Sequence, residues 1–129
     1  MADVTVKQLD EFDSLNNGGF VRVRAGLGVK SFGMQVEQFP PNFDQYPEHD
    51  HAGDGQEEVY TVLSGSATLI AGGQEHRLEP GVFARVGPGE KRKIVTGGEP
   101  AKLLCLGATP GVAYAPPPYT EEGAPVPGS

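Results

Sequence analysis

The stretch Tyr46-Pro-Glu-His49-Asp-His51-Ala-Gly-Asp-Gly-Gln-Glu-Glu58-Val-Tyr60-Thr-Val-Leu-Ser-Gly65 decides how the rest of the chain is read, and it holds two of the chain's 3 histidines. His49 and His51 are separated by one residue, so in extended backbone both imidazoles project from one face, because successive side chains alternate. The run from Glu58 to Ser64 is rich in β-branched and aromatic residues and reads as a strand closed by Gly65. Gly53-Asp54-Gly55 between the two reads as a turn. A strand folding back across that turn sets Glu58 opposite the histidine pair. Two imidazoles and a carboxylate are the ligand set of many non-haem Fe(II) sites, and Zn, Mn, Ni and Cu accept it too.

A second stretch lies downstream, Gly81-Val82-Phe83-Ala84-Arg85-Val86-Gly87-Pro88-Gly89-Glu90-Lys91-Arg92. Together the two resemble the motifs of the cupin superfamily. The first family motif runs His-x-His, a few residues, Glu, six residues, Gly, and Glu58 and Gly65 have that spacing. Glu57 does not, and is expected to face out. The interval from His51 to Glu58 is two or three residues longer than in the family pattern, an insertion that a surface loop absorbs at little entropic cost. The second family motif runs Gly, about five residues, Pro-x-Gly, two residues, His. Gly81, Pro88 and Gly89 align with it, but Arg92 stands where the family has its last metal-ligating histidine. The resemblance covers residues 20–108 and implies an all-β, double-stranded β-helix, the cupin jelly-roll barrel. It further implies a small-molecule ligand inside the barrel, a divalent metal (Fe, Mn, Ni or Zn) on His49, His51 and Glu58, and a homodimer.

Arg92 complicates that expectation. A guanidinium keeps its positive charge in a protein and has no lone pair for a metal. Alternation puts Arg92 on the inward face with Ile94 and Thr96, and Lys91, Lys93 and Val95 outside. A buried guanidinium needs an anion. Either Glu58 pairs with it in the place of the metal, or Glu58 stays on a metal and Arg92 anchors an anionic ligand. The first alternative is a metal-free ligand-binding module or a decayed site; the second is a metalloenzyme whose catalytic residues the sequence leaves unknown. Tyr60 shares a face with Glu58, which makes it a second candidate for ligand contact. His76 is expected to be a partly exposed strand histidine and Asp50 to face solvent.

Composition bounds the remaining choices. The chain has 129 residues, the size of one domain, and its 19 glycines and 12 prolines suit short strands joined by turns. Its net charge of −7 argues against nucleic acid and anionic membranes as partners. The single cysteine, Cys105, lies in the apolar run Leu103-Leu104-Cys105-Leu106, where a buried thiol is expected, and it rules out an internal disulfide. With no signal-peptide pattern and no bilayer-length apolar run, the cytoplasm is the expected location.

Along the chain, residues 1–19 form an N-terminal segment, either an edge strand or a short helix, before the turn Asn16-Asn17-Gly18-Gly19. Phe20-Val21-Arg22-Val23-Arg24-Ala25 alternates as a half-buried strand with its arginines out. Residues 29–39 read as a longer strand with Phe32, Met34, Val36 and Gln38 toward the core and Gln35 and Glu37 away from it, ended by Pro40-Pro41. Further strands are expected at residues 67–70, 75–78, 82–86, 92–96 and 101–108. Residues 109–129 form a Pro- and Gly-rich tail with too little apolar area to order itself, expected to lie over the barrel or a partner subunit or to stay mobile.

Overall fold

The computed structural model describes residues 2–125; Met1 and the last four residues of the expected tail lie outside them. Among these residues nine strands form: β1 (Ser14–Leu15), β2 (Phe20–Val21), β3 (Gly33–Phe39), β4 (Glu57–Gly65), β5 (Ala67–Ala71), β6 (Gln74–Leu78), β7 (Phe83–Val86), β8 (Arg92–Val95) and β9 (Ala101–Ala108). Among the described residues there is one α-helix, α1 (Val23–Leu27), and two single 3-10 turns, Leu9–Glu11 and Pro118–Thr120. All strand pairings are antiparallel. The larger sheet has the order β1-β2-β3-β9-β4-β7 and the smaller the order β6-β5-β8. No helix among the described residues is long and apolar enough to cross a membrane.

Tyr60, Val62, Leu69, Leu78, Val86, Ile94, Leu103 and Cys105 fill the space between the sheets. The thiol of Cys105 is buried as expected, and that burial raises its pKa well above the usual range. The β5–β6 hairpin turns through Gly72 at φ 62° and Gly73 at φ 73°. Both angles lie in the left-handed region, as a two-residue turn matched to strand twist requires. Gly65 answers a harder constraint: its φ is 76°, and a Cβ there would lie 1.8 Å from the carbonyl oxygen of Pro100.

Three local expectations are corrected. Phe20 to Ala25 is not one strand, because β2 ends at Val21 and α1 begins at Val23. Its arginines are not outside: Arg22 and Arg24 are both buried. Arg22 donates to Asp13 Oδ2 (2.7 Å), Tyr119 O (3.0 Å) and Ala124 O (2.7 Å), and Arg24 to Val29 O (2.9 Å). The alternating pattern came from charges that fasten the tail, not from a solvated face.

The second correction is the facing of β3. Val36 packs with Val21 and Val23, together with Leu9, Phe12, Leu27, Met34 and Leu104, in a small core outside the larger sheet. Glu37, on the opposite face, is buried too. Strand β3 is therefore covered on both sides, and alternation alone could not say which side faced the barrel interior.

The third concerns the histidines. His49 lies on no strand; it makes an isolated antiparallel bridge to Arg92, with His49 N–H donating to Arg92 O (3.1 Å) and Arg92 N–H to His49 O (2.8 Å). Glu58 lies on β4 between β9 and β7. The histidine segment is thus carried by the β8 end of the barrel, not by a hairpin partner of β4.

Candidate metal centre and ligand cavity

The segment between Pro40 and His51 is latched to β8 and its flanks before it reaches the site. Thr96 Oγ1 donates to Pro40 O (2.6 Å) and accepts from Phe43 N–H (2.8 Å), and Asn42 N–H donates to Gly97 O (2.7 Å). His51 N–H donates to Pro88 O (2.9 Å), which ties the second histidine to the Gly87-Pro88-Gly89 turn. Phe39 stacks on Phe43 with centroids 4.6 Å apart, and Tyr46 leans on the His49 ring at 5.6 Å.

So placed, His49, His51 and Glu58 each offer one ligand atom within 4.8 Å of the others. The hydrogen bonds on the far side of each imidazole fix its tautomer. His49 Nδ1 is 2.9 Å from Pro47 O, a carbonyl that only accepts, so Nδ1 carries the proton. His51 Nδ1 is 3.1 Å from Asp54 Oδ1. The Asp54 carboxyl, which burial pushes up, is held lower overall by the Gln56 N–H and His51, and as a carboxylate it accepts a hydrogen bond from the His51 Nδ1–H. Both Nε2 lone pairs are thereby aimed inward, 3.9 Å (His49) and 3.2 Å (His51) from Glu58 Oε1. His51 Nε2 is buried and makes no hydrogen bond among the described residues. An imidazole anchored through Nδ1–H to an oxygen acceptor, with a lone pair left over a neighbouring carboxylate, is the arrangement metal-ligating histidines adopt. The donor set fits a divalent transition metal.

Glu58 has other partners as well. Its Oε1 accepts from Tyr60 Oη (2.6 Å) and Arg92 Nη1 (2.5 Å), and its Oε2 from Cys105 Sγ (3.6 Å). Arg92 is fully buried. Its Nε donates to Glu90 O (3.0 Å) and Nη2 to Gly87 O (2.7 Å). Arg92 faces inward as alternation predicts, and its contact with Glu58 is the first of the two alternatives that the sequence left open. Every guanidinium nitrogen is committed, however, and neither Arg92 nor Tyr60 lines the adjoining cavity. Glu57 instead pairs outside with Arg85. His76 and Asp50 are exposed.

That cavity has a volume of about 850 Å³ and is lined by His49, His51 and Glu58, by Gln35 and Glu37 of β3, and by aromatic rings that include Phe39, Phe43 and Tyr46. Tail residues Tyr114, Tyr119 and Thr120 form part of its wall. Gly33 admits the Tyr114 hydroxyl, which would lie 2.7 Å from a Cβ at that position. The reading of β3 missed Glu37 as a site residue. The available signal was Phe39, a large aromatic sharing the parity of Gln35 and Glu37. Burial, with Glu58 adding to it, pushes the Glu37 carboxyl up to about 7, while Gln35 works against the shift.

The chain is thus a two-sheet antiparallel barrel with a two-histidine, one-carboxylate cluster, a candidate metal site, facing its interior. Residues 35–107 match the family described as Cupin domain, and the chain belongs to it. No curated protein sequence matches. Among solved structures, a cupin protein from Bacteroides fragilis is 21% identical with a TM-score of 0.71, over 91% of this chain and 93% of that one. A sugar phosphate isomerase from a cupin superfamily of Silicibacter pomeroyi is 23% identical with a TM-score of 0.68, over 87% and 77%. These two likenesses show the fold. The DMSP lyase DddQ from Ruegeria pomeroyi is 27% identical with a TM-score of 0.55, over 71% of this chain and 45% of that one.

Proposed function

We propose that this cupin is a small-molecule-binding protein whose His49, His51 and Glu58 hold a divalent transition metal at the edge of the 850 Å³ cavity. The observation that carries the reading is the pair of tautomer-locked imidazoles, and above all the buried Nε2 of His51, which has no hydrogen-bond partner. Two imidazoles and a carboxylate suit Fe, Mn, Ni or Zn. When bound, such an ion supplies Lewis-acid polarisation of a ligand oxygen. The chain's own groups position and neutralise: Arg92 and Tyr60 hold Glu58 in place, Asp54 and Pro47 hold the imidazole protons, and the aromatic walls exclude water. Arg92 is a positioning residue in this reading rather than the anchor of an anionic ligand, since its nitrogens are committed to Glu58, Glu90 O and Gly87 O. Metal content of tag-free, chelator-free protein tests it: near-stoichiometric metal in the wild type and none in His49→Ala is expected, and equal content in both overturns it.

A second reading has its own observation. The 2.5 Å contact between Arg92 and Glu58 places a cation on the carboxylate that a metal would share. A metal-free ligand-binding module, with the ion pair in the place of the metal, is supported by that contact, and both oxygens of Glu58 already have donors. A homodimer is proposed for either reading. Its support is Phe83, 73% exposed on edge strand β7, with Leu63, 49% exposed, on neighbouring β4.

A further inference from the structure

The cavity wall carries a carboxyl that the metal cluster does not use. Glu37 lies on the inner face of β3 opposite Leu103 of β9, two strands away from β4 in the larger sheet. It is 93% buried by its residual exposure of 7%, and among the described residues no salt bridge reaches it. Among the described residues its one side-chain hydrogen-bond partner is Gln35 Nε2, at a long 3.4 Å. A carboxylate in that position has acceptor capacity left over and needs a donor or a cation when ionised.

The surroundings favour a cation. No lysine or arginine lines the cavity among the described residues, and the other acidic group in its wall is Glu58. Rings of Phe20, Phe39, Phe43, Tyr46, Tyr114 and Tyr119 line the same space. Aromatic faces attract cations and exclude water, which strengthens a charge-assisted hydrogen bond to a buried carboxylate. We propose that Glu37, with Gln35 beside it, is the recognition site for the ammonium group of an organic amine that occupies this cavity, with the aromatic rings covering its apolar part. The proposal rests on the cavity being a ligand site and names the class of ligand; the metal is a separate claim.

Isothermal titration calorimetry at pH 8 with benzylamine, benzyl alcohol and benzoate tests it, since the three probes share a ring and differ in the polar group. Full-length wild type is expected to bind benzylamine at least about ten-fold more tightly than benzyl alcohol, and benzoate most weakly. E37Q is expected to lose the preference for the amine while staying folded and keeping its metal uptake. Equal affinity for amine and alcohol in the wild type, no binding of any probe, or a preference that survives in folded E37Q overturns the amine site. Should E37Q fail to fold, the wild-type ranking of the three probes decides. Zn(II) titration of the same wild-type sample separates the two claims: amine preference without metal uptake sinks the metal reading alone, and metal uptake without amine preference sinks the amine site alone.

Discussion

At the residue scale the site is governed by competition for Glu58. Its Oε1 already accepts from Tyr60 and Arg92, so any metal shares that oxygen with a guanidinium. Replacing Arg92 with histidine removes the competing cation and restores the family's last ligand. Arg92→His is expected to raise Zn(II) affinity about ten-fold or more, as measured by competition with a chromophoric chelator. Arg92→Ala leaves a buried carboxylate and the carbonyls of Gly87 and Glu90 without their donor, and is expected to cost about 3–5 kcal/mol in denaturant unfolding. Glu37 gives a pH signature. Its folded pKa is raised to about 7 from an ordinary value of 4.5, so the folded state binds the proton more tightly and stability is lost as pH rises from about 4.5 through 7. The loss amounts to about 3 kcal/mol. Tyr46, Glu58, Cys105 and Tyr119 surround it electrostatically. Glu37→Gln is expected to flatten that part of the stability profile and to be the more stable protein at pH 8; an unchanged slope in chemical denaturation at several pH values would count against it. The inward facing of Arg92 was legible because β8 follows simple alternation, buried at Arg92 and Ile94 and half-buried at Lys93 and Val95. Glu37 was not, because β3 is covered on both faces.

At the element scale, the strands from β4 onward were legible because turn residues punctuate them. Gly72-Gly73, Gly87-Pro88-Gly89 and Gly97-Gly98 each fall between strands. Phe20 to Leu27 was not, because five residues of helix carry too little periodicity to distinguish from alternation. The tail was equally opaque. Residues 110–125 lack an apolar pattern, yet Arg22 Nε and Nη2 bind the carbonyls of Tyr119 and Ala124, Asp13 accepts from Gly123 N–H, and Arg24 pairs with Glu121. Polar partners far away in sequence order this segment, and composition does not display them. Arg22→Ala is expected to release the tail from the cavity wall, read as faster amide exchange at residues 119–124 and earlier cleavage in limited proteolysis. Unchanged exchange there would mean that Tyr114 and Tyr119 hold the tail by packing alone.

At the scale of the whole molecule, the two sheets enclose one core, and a second, smaller core seals the N-terminal segment and α1 against the outer face of β3. This double covering turns the inner face of β3 into a cavity wall and puts a carboxyl across from the histidine cluster. The barrel itself was legible from the strand spacing and from the family motifs, including Gly65, whose close approach to Pro100 tolerates no side chain. The outer surface bears on assembly: Phe83→Asp on edge strand β7 is expected to shift a dimer to monomer in sedimentation velocity, and a monomeric wild type would remove the homodimer from the account. The central claim concerns His49, His51 and Glu58, and equilibrium dialysis against Fe(II), Mn(II), Ni(II) and Zn(II) tests it most directly. The account predicts one tightly held equivalent of at least one of these ions in the wild type, lost in both His49→Ala and His51→Ala. A wild type that retains none of the four, or histidine variants that retain the ion as well as the wild type does, would contradict it and leave the Arg92 and Glu58 pair as the centre of a metal-free pocket.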